Sequence, residues 1–122
     1  MIMAIEQRDD VSVLRIEGDF VTGTDSKYLA EKKESLKQLK PGKVLVDLRQ
    51  MPYIGSTGIG FIVGIFTTVK VNGGHLVLVG LHPRVHEVFH LTRLTTIIPL
   101  APDIDSGVAY LGVRSSRAAS QK

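Results

Sequence analysis

Two short runs, Lys43-Val44-Leu45-Val46-Asp47-Leu48 and His75-Leu76-Val77-Leu78-Val79, are apolar at nearly every position rather than at alternate ones. That pattern marks strands covered on both faces, because a strand with one wet face alternates apolar and polar residues. Between them lies Ser56 to Val71, with Ile59, Ile62, Val63, Phe66 and Val69 at helical spacing and Asn72-Gly73-Gly74 as a stop. Strand, helix and strand in this order require a right-handed crossover joining two parallel strands. The chain is therefore constrained to an α/β fold with helices on both faces of a sheet.

The remaining segments extend this unit. Met1 to Arg8 and Val11 to Glu17 are rich in Ile and Val and are separated by Asp9-Asp10, so a hairpin opens the domain and the sheet is mixed. Thr22-Gly23-Thr24-Asp25 offers turn and capping chemistry before a charged segment that ends at Lys40-Pro41-Gly42. In that segment Leu29, Leu36 and Leu39 share one helical face, as expected of a surface helix. Beyond Val79, the sequence predicts a short helix over Pro83–Leu91, an edge strand over Thr95–Leu100 and a last helix over Ile104–Leu111. The expectation is one domain over residues 1–111, with a mixed sheet of four to five strands and about four helices. Residues 112–122 read as a disordered basic tail.

Bulk properties exclude several functions. Hydrophobic residues make up 43% and charged residues 22%, enough apolar surface for a folded core. Cysteine is absent, which removes disulfides, thiolate catalysis and thiolate metal ligation. No signal-peptide pattern opens the chain, and the stretch from Ile59 to Val69 is too short for a membrane span, so a cytoplasmic protein is expected. The formal charge of +3 is carried entirely by Arg114, Arg117 and Lys122. With a neutral remainder, four phenylalanines, three tyrosines and no tryptophan, the chain lacks the footprint of a nucleic-acid binder.

The segment richest in chemical meaning is Tyr53-Ile54-Gly55-Ser56-Thr57-Gly58-Ile59-Gly60, between the central strand and the following helix. Ser56 is placed to cap that helix, which is sufficient reason for a serine there. The same place has a second use. Outward-pointing amides and the helix dipole favour negative charge, so a phosphate on Ser56 would be held locally rather than repelled.

From Lys43 to Leu100 the chain resembles the sulfate transporter and anti-sigma factor antagonist domains, the STAS family, and within it the free-standing anti-sigma factor antagonists. Four segments carry the resemblance: Val44-Leu45-Val46-Asp47-Leu48; Tyr53 to Gly60; Gly73-Gly74-His75-Leu76-Val77-Leu78-Val79; and Pro83-Arg84-Val85 through Leu91-Thr92-Arg93-Leu94. Weaker agreement extends back to Gly18 and forward to Leu111. In the family the loop reads Asp-Ser-Ser/Thr-Gly, and its first hydroxyl is phosphorylated by a kinase that is also the anti-sigma factor. The resemblance thus implies Ser56 as phosphosite, with Thr57 as second choice. It also implies a partner surface of Gly55, Ser56, Thr57, Gly58, Ile59, Ile62 and Val63, joined by Thr22 and Thr24. Gly55 stands where the family usually has Asp, and Val21 lies near another such position, so both loops depart from the common pattern. The implied protein is not an enzyme and needs no cofactor or metal. Its partners would be an anti-sigma factor serine kinase, whose capture releases a sigma factor, and a cognate serine phosphatase. The same fold also serves as a subunit of lipid-transport or stress-sensing assemblies, which is the alternative function.

One rival motif remains. His86-Glu87-Val88-Phe89-His90 matches H-E-x-x-H, in which two histidines one turn apart bind zinc and the glutamate activates water. At 100° per residue, Val85, Val88 and Phe89 define the buried face and leave His86 and His90 toward solvent. A zinc protease also needs a third ligand and a cleft, and Leu91-Thr92-Arg93-Leu94 supplies neither. Metalloprotease activity is therefore a remote alternative; weak surface metal binding by His82, His86 and His90 fits the pattern better, and a solvated face is the default.

Overall fold

The computed structural model describes residues 2–8, 10–17 and 42–120. The elements are β1 (Ile2–Arg8), β2 (Val11–Glu17), β3 (Lys43–Gln50), α1 (Ser56–Val71), β4 (His75–Val79), α2 (Pro83–Leu91), a 3-10 turn (Leu94–Thr96), β5 (Leu100–Ala101) and α3 (Ile104–Ser120). The surface helix expected before Lys40, together with Thr22 and Thr24, lies outside the described residues. Among the described residues, no helix is long and apolar enough to cross a membrane.

The five strands form one mixed sheet in the order β1-β2-β3-β4-β5. β1 and β2 pair antiparallel from Ile2↔Glu17 to Arg8↔Val11, and every later pairing is parallel. The opening hairpin and the parallel core are thus as the sequence pattern requires. Strand β3 sits in the middle, which is why its residues Val44 to Leu48 are all buried.

Alternation along the strands divides the core in two. Leu14, Ile16, Val44, Val46, Leu48, Leu76 and Leu78 face α1 and α2, whose Ile62, Ile65, Val69, Val85 and Phe89 cover them. On the opposite face, Val11, Val13, Leu45, Val77 and Val79 meet Leu111 of α3. Each fully buried Leu, Ile or Phe contributes roughly 1.5–3 kcal/mol relative to exposure, so this double burial dominates the stability of the fold. Helix α3 approaches closely at Gly107, where an added Cβ would lie 2.7 Å from Val79 Cγ1 and 2.8 Å from Leu45 Cδ1.

The structure corrects two boundaries. The edge strand expected over Thr95–Leu100 is only Leu100–Ala101, because Arg93 enters the left-handed region at φ 62° and starts a 3-10 turn. Thr96 then bonds back to the Arg93 carbonyl, and Pro99 has no N–H to donate to a ladder. The last helix does not stop at Leu111 but runs to Ser120. Once past Gly112, the run through Arg114, Arg117, Ala118 and Ala119 contains good helix formers and no proline, so nothing local ends it.

Candidate functional site

The central strand delivers the chain to the loop before α1, and a buried ionic clamp fixes where the strand ends. Asp47 lies within β3 with its side chain 1% exposed. Its Oδ1 accepts from the backbone N–H and the Nε of Arg49, each at 3.0 Å, and its Oδ2 accepts from Arg49 Nη2 at 3.0 Å. Arg15, directly opposite on β2, adds an ion pair at 3.5 Å and reaches on toward Glu6 at 3.7 Å. Burial alone would raise the Asp47 pKa. The hydrogen bonds from Arg49 and the charges of Arg49 and Arg15 outweigh it and hold the carboxyl below the ordinary value of 3.8.

Arg49 is restrained at its other end as well. The Nε2 of His82, at the start of α2, donates to the Arg49 carbonyl at 2.7 Å. Gly80 makes the passage of the Arg49 stem possible: its φ is +69°, and a Cβ there would lie 2.1 Å from Arg49 Cγ. Beyond Arg49, Met51 and Ile54 are buried at 0% and 3%, and the Met51 N–H bonds the Leu48 carbonyl at 3.0 Å. The loop is thereby pinned to the core at three places, while Tyr53 between them is half exposed.

Helix α1 starts where this loop ends, but not with the cap expected. Gly55 is the N-cap, extended at φ −105° and ψ −175°, and its carbonyl accepts from Ile59 N–H at 3.0 Å. Ser56 is the first helical residue and makes no capping hydrogen bond, so the capping role assigned to it from sequence is corrected. Both Gly and Ser are suited to the N-cap position, and only backbone geometry decides between them. Ser56 is exposed, and the first turn holds no acidic side chain.

The remaining sequence-nominated residues separate by burial. Gly58 is buried; Ile59 and Val63 are half-buried; Gly60, Gly64 and Thr67 are exposed on the same side as Ser56. Ile62 is fully buried in the core beneath the helix, so it supports α1 from below and offers no outward surface, a correction to its place in the expected partner surface. The open side of the helix is lined by glycine, serine and threonine. Gly60 and Gly64 each have open space beyond their Cα atoms. No charged residue stands between Arg49 and Lys70 in the sequence, so this open side is uncharged for most of its length. A cavity of about 190 Å³ lined by Phe66, Lys70 and Ile97 lies at the other end of α1, away from Ser56.

The H-E-x-x-H segment falls on α2. Val85 and Phe89 are buried and His86 and His90 exposed, as the 100° spacing places them. Among the described residues no three His, Cys, Asp or Glu side chains come together as a metal-binding group. The Asp47–Arg49–Arg15 clamp was not read from the sequence. Its signal is an acid and a base two residues apart on one face of a strand.

Comparison with known proteins agrees with this architecture. The STAS domain family matches residues 3–107. The anti-sigma-B factor antagonist of Listeria monocytogenes is 41% identical over 85 residues, which cover 66% of this chain and 75% of that protein. Among solved structures, an anti-sigma-factor antagonist (STAS) domain protein from Planctomyces limnophilus superposes with a TM-score of 0.77 at 18% identity, covering 90% of this chain and 97% of that one. The anti-sigma factor antagonist SpoIIAA in its unphosphorylated form gives 0.65 at 16% identity, covering 93% and 98%. The structural likenesses, at such low identity, speak to the fold alone. Taken with the match that spans most of the sequence, they lead to one conclusion: this chain belongs to the STAS domain family.

Proposed function

We propose that this protein is an anti-sigma factor antagonist whose docking onto an anti-sigma factor serine kinase is switched by phosphorylation of Ser56. The observation that carries the reading is the exposed Ser56 hydroxyl at the first position of a rigidly seated helix, beside an uncharged face of small residues. The anti-sigma-B factor antagonist relative, at 41% identity, favours this over a role in a transport or stress-sensing assembly.

In the unphosphorylated state, Ser56, Ile59, Gly60, Val63 and Gly64 offer an uncharged surface, open beyond the two glycines, to which a partner docks. Thr57 is the second hydroxyl of the motif, and Thr22 and Thr24 belong to the same proposed surface. Phosphoryl transfer joins the Ser56 oxygen to the γ-phosphorus of ATP, releases ADP and passes the hydroxyl proton to a base on the kinase. The phosphate brings about −1.5 to −2 charges at pH 7. Within this chain the helix N-terminus tolerates that charge, since its amides and dipole are oriented toward an anion. At the interface the same charge must be desolvated against a surface that has just closed on a neutral face, and the complex separates. A serine phosphatase resets the switch.

The test is to incubate the purified chain with ATP and anti-sigma factor serine kinases from the same genome, then map phosphate by mass spectrometry. A single phosphate on Ser56, absent in Ser56→Ala, is the expected result. Modification elsewhere, or a kinase that neither binds nor modifies the chain, would overturn the reading.

A further inference from the structure

The proposed switch makes no use of the histidines on α2. His86 and His90 stand one helical turn apart, both exposed, with ring planes only 7° from parallel and centroids 6.5 Å apart. Neither ring has a hydrogen-bond or ion-pair partner among the described residues. The helix beneath them is fixed to the core by Val85 and Phe89, so the backbone that carries the two rings is held in register.

We propose that His86 and His90 form a two-ligand site for a late first-row divalent cation: copper, nickel or zinc. Imidazole nitrogen is a borderline-soft donor suited to these ions and ill suited to magnesium or calcium, which take oxygen ligands. An ion about 2.0–2.1 Å from one nitrogen of each ring fits between the side chains after a modest rotation of each, and both are free to rotate in solvent. Glu87 lies a hundred degrees round the helix from His86 and does not complete the set. Among the described residues no third His, Cys, Asp or Glu side chain joins them, and these two imidazoles are the ligands assigned to the ion. The site is therefore exchangeable and structural in effect: it ties two successive turns of a nine-residue helix together.

The test uses the full chain without an affinity tag, dialysed against EDTA and then against metal-free buffer. Titration calorimetry with nickel chloride and with zinc chloride should show one ion per chain, and magnesium chloride none. His86→Ala and His90→Ala change exposed residues, and circular dichroism checks that each variant is folded. Each should bind nickel roughly tenfold or more weakly, a loss of about 1.4 kcal/mol or more. Saturating nickel should raise the Tm of the wild-type chain by a few degrees and leave that of either variant unmoved, because only the folded helix presents both ligands. Absence of nickel and zinc binding in the wild type, or binding that survives in both variants, would overturn the proposal. Neither result touches the Ser56 switch.

Discussion

Replacing Asp47 by alanine should be among the most damaging single polar substitutions in this fold. The carboxylate is buried, accepts three hydrogen bonds from Arg49 and pairs with Arg15. Removing one partner of a buried ion pair typically costs about 3–5 kcal/mol, mostly because a charge is left buried and unpaired. Here the orphaned cations are 48% and 34% exposed and can regain water, which reduces the loss. The Arg49 N–H also loses its acceptor, worth about 1 kcal/mol. The expected destabilisation is about 2–3 kcal/mol, and with a urea m-value of about 1–3 kcal/mol/M the midpoint falls by about 0.7–3 M. The pH dependence has a definite sign. Because the folded protein holds the carboxyl below 3.8, the unfolded chain takes up the proton first as pH falls. The contribution is therefore complete above pH 3.8 and is lost as pH drops through the folded value, so wild type and Asp47→Ala converge in acid. A midpoint shift equivalent to less than about 0.5 kcal/mol at neutral pH, the scale of a surface pair, would refute the reasoning.

Other substitutions separate stability from docking. Gly60→Ala and Gly64→Ala fill open space on an exposed helix, so each should stabilise the chain by about 0.5–1 kcal/mol in urea titration while weakening kinase capture by roughening the proposed contact face. Gly107→Val should cost about 2–3 kcal/mol by thermal denaturation, because its branched side chain enters space held by Val79 and Leu45. Gly55→Asp supplies the missing side-chain cap at a residue already extended and should stabilise the protein by a few tenths of a kcal/mol. The same variant restores the carboxylate usual in the family, so its phosphorylation by the cognate kinase, followed by phosphate incorporation, should be faster than that of the wild type.

The parts of the fold that burial dictates were legible in the sequence. Val44 to Leu48 and Leu76 to Val79 announce central strands because both their faces are covered, and of the α1 residues at helical spacing Ile62 and Val69 are buried while Ile59, Val63 and Phe66 are half-buried. What was not legible depends on register or on fine backbone choice. The clamp exists because β2 and β3 pair with Arg15 opposite Asp47, and no local pattern fixes that pairing. Ser56 and Gly55 are both good caps, and the extended Gly55 takes the position. The shortened β5 follows from a left-handed Arg93, a conformation that its side chain does not advertise. The resemblance put Ile62 on the partner surface, but a residue-by-residue likeness does not say how deeply the sheet covers a side chain.

The central claim is that one charge at Ser56 decides whether this surface stays docked. Its most direct test is the equilibrium affinity of the anti-sigma factor serine kinase for the chain before and after stoichiometric phosphorylation at Ser56, measured by calorimetry at fixed ionic strength. The account predicts a loss of at least about tenfold, driven by desolvation and repulsion at the closed interface. Equal affinity of the two forms would contradict it.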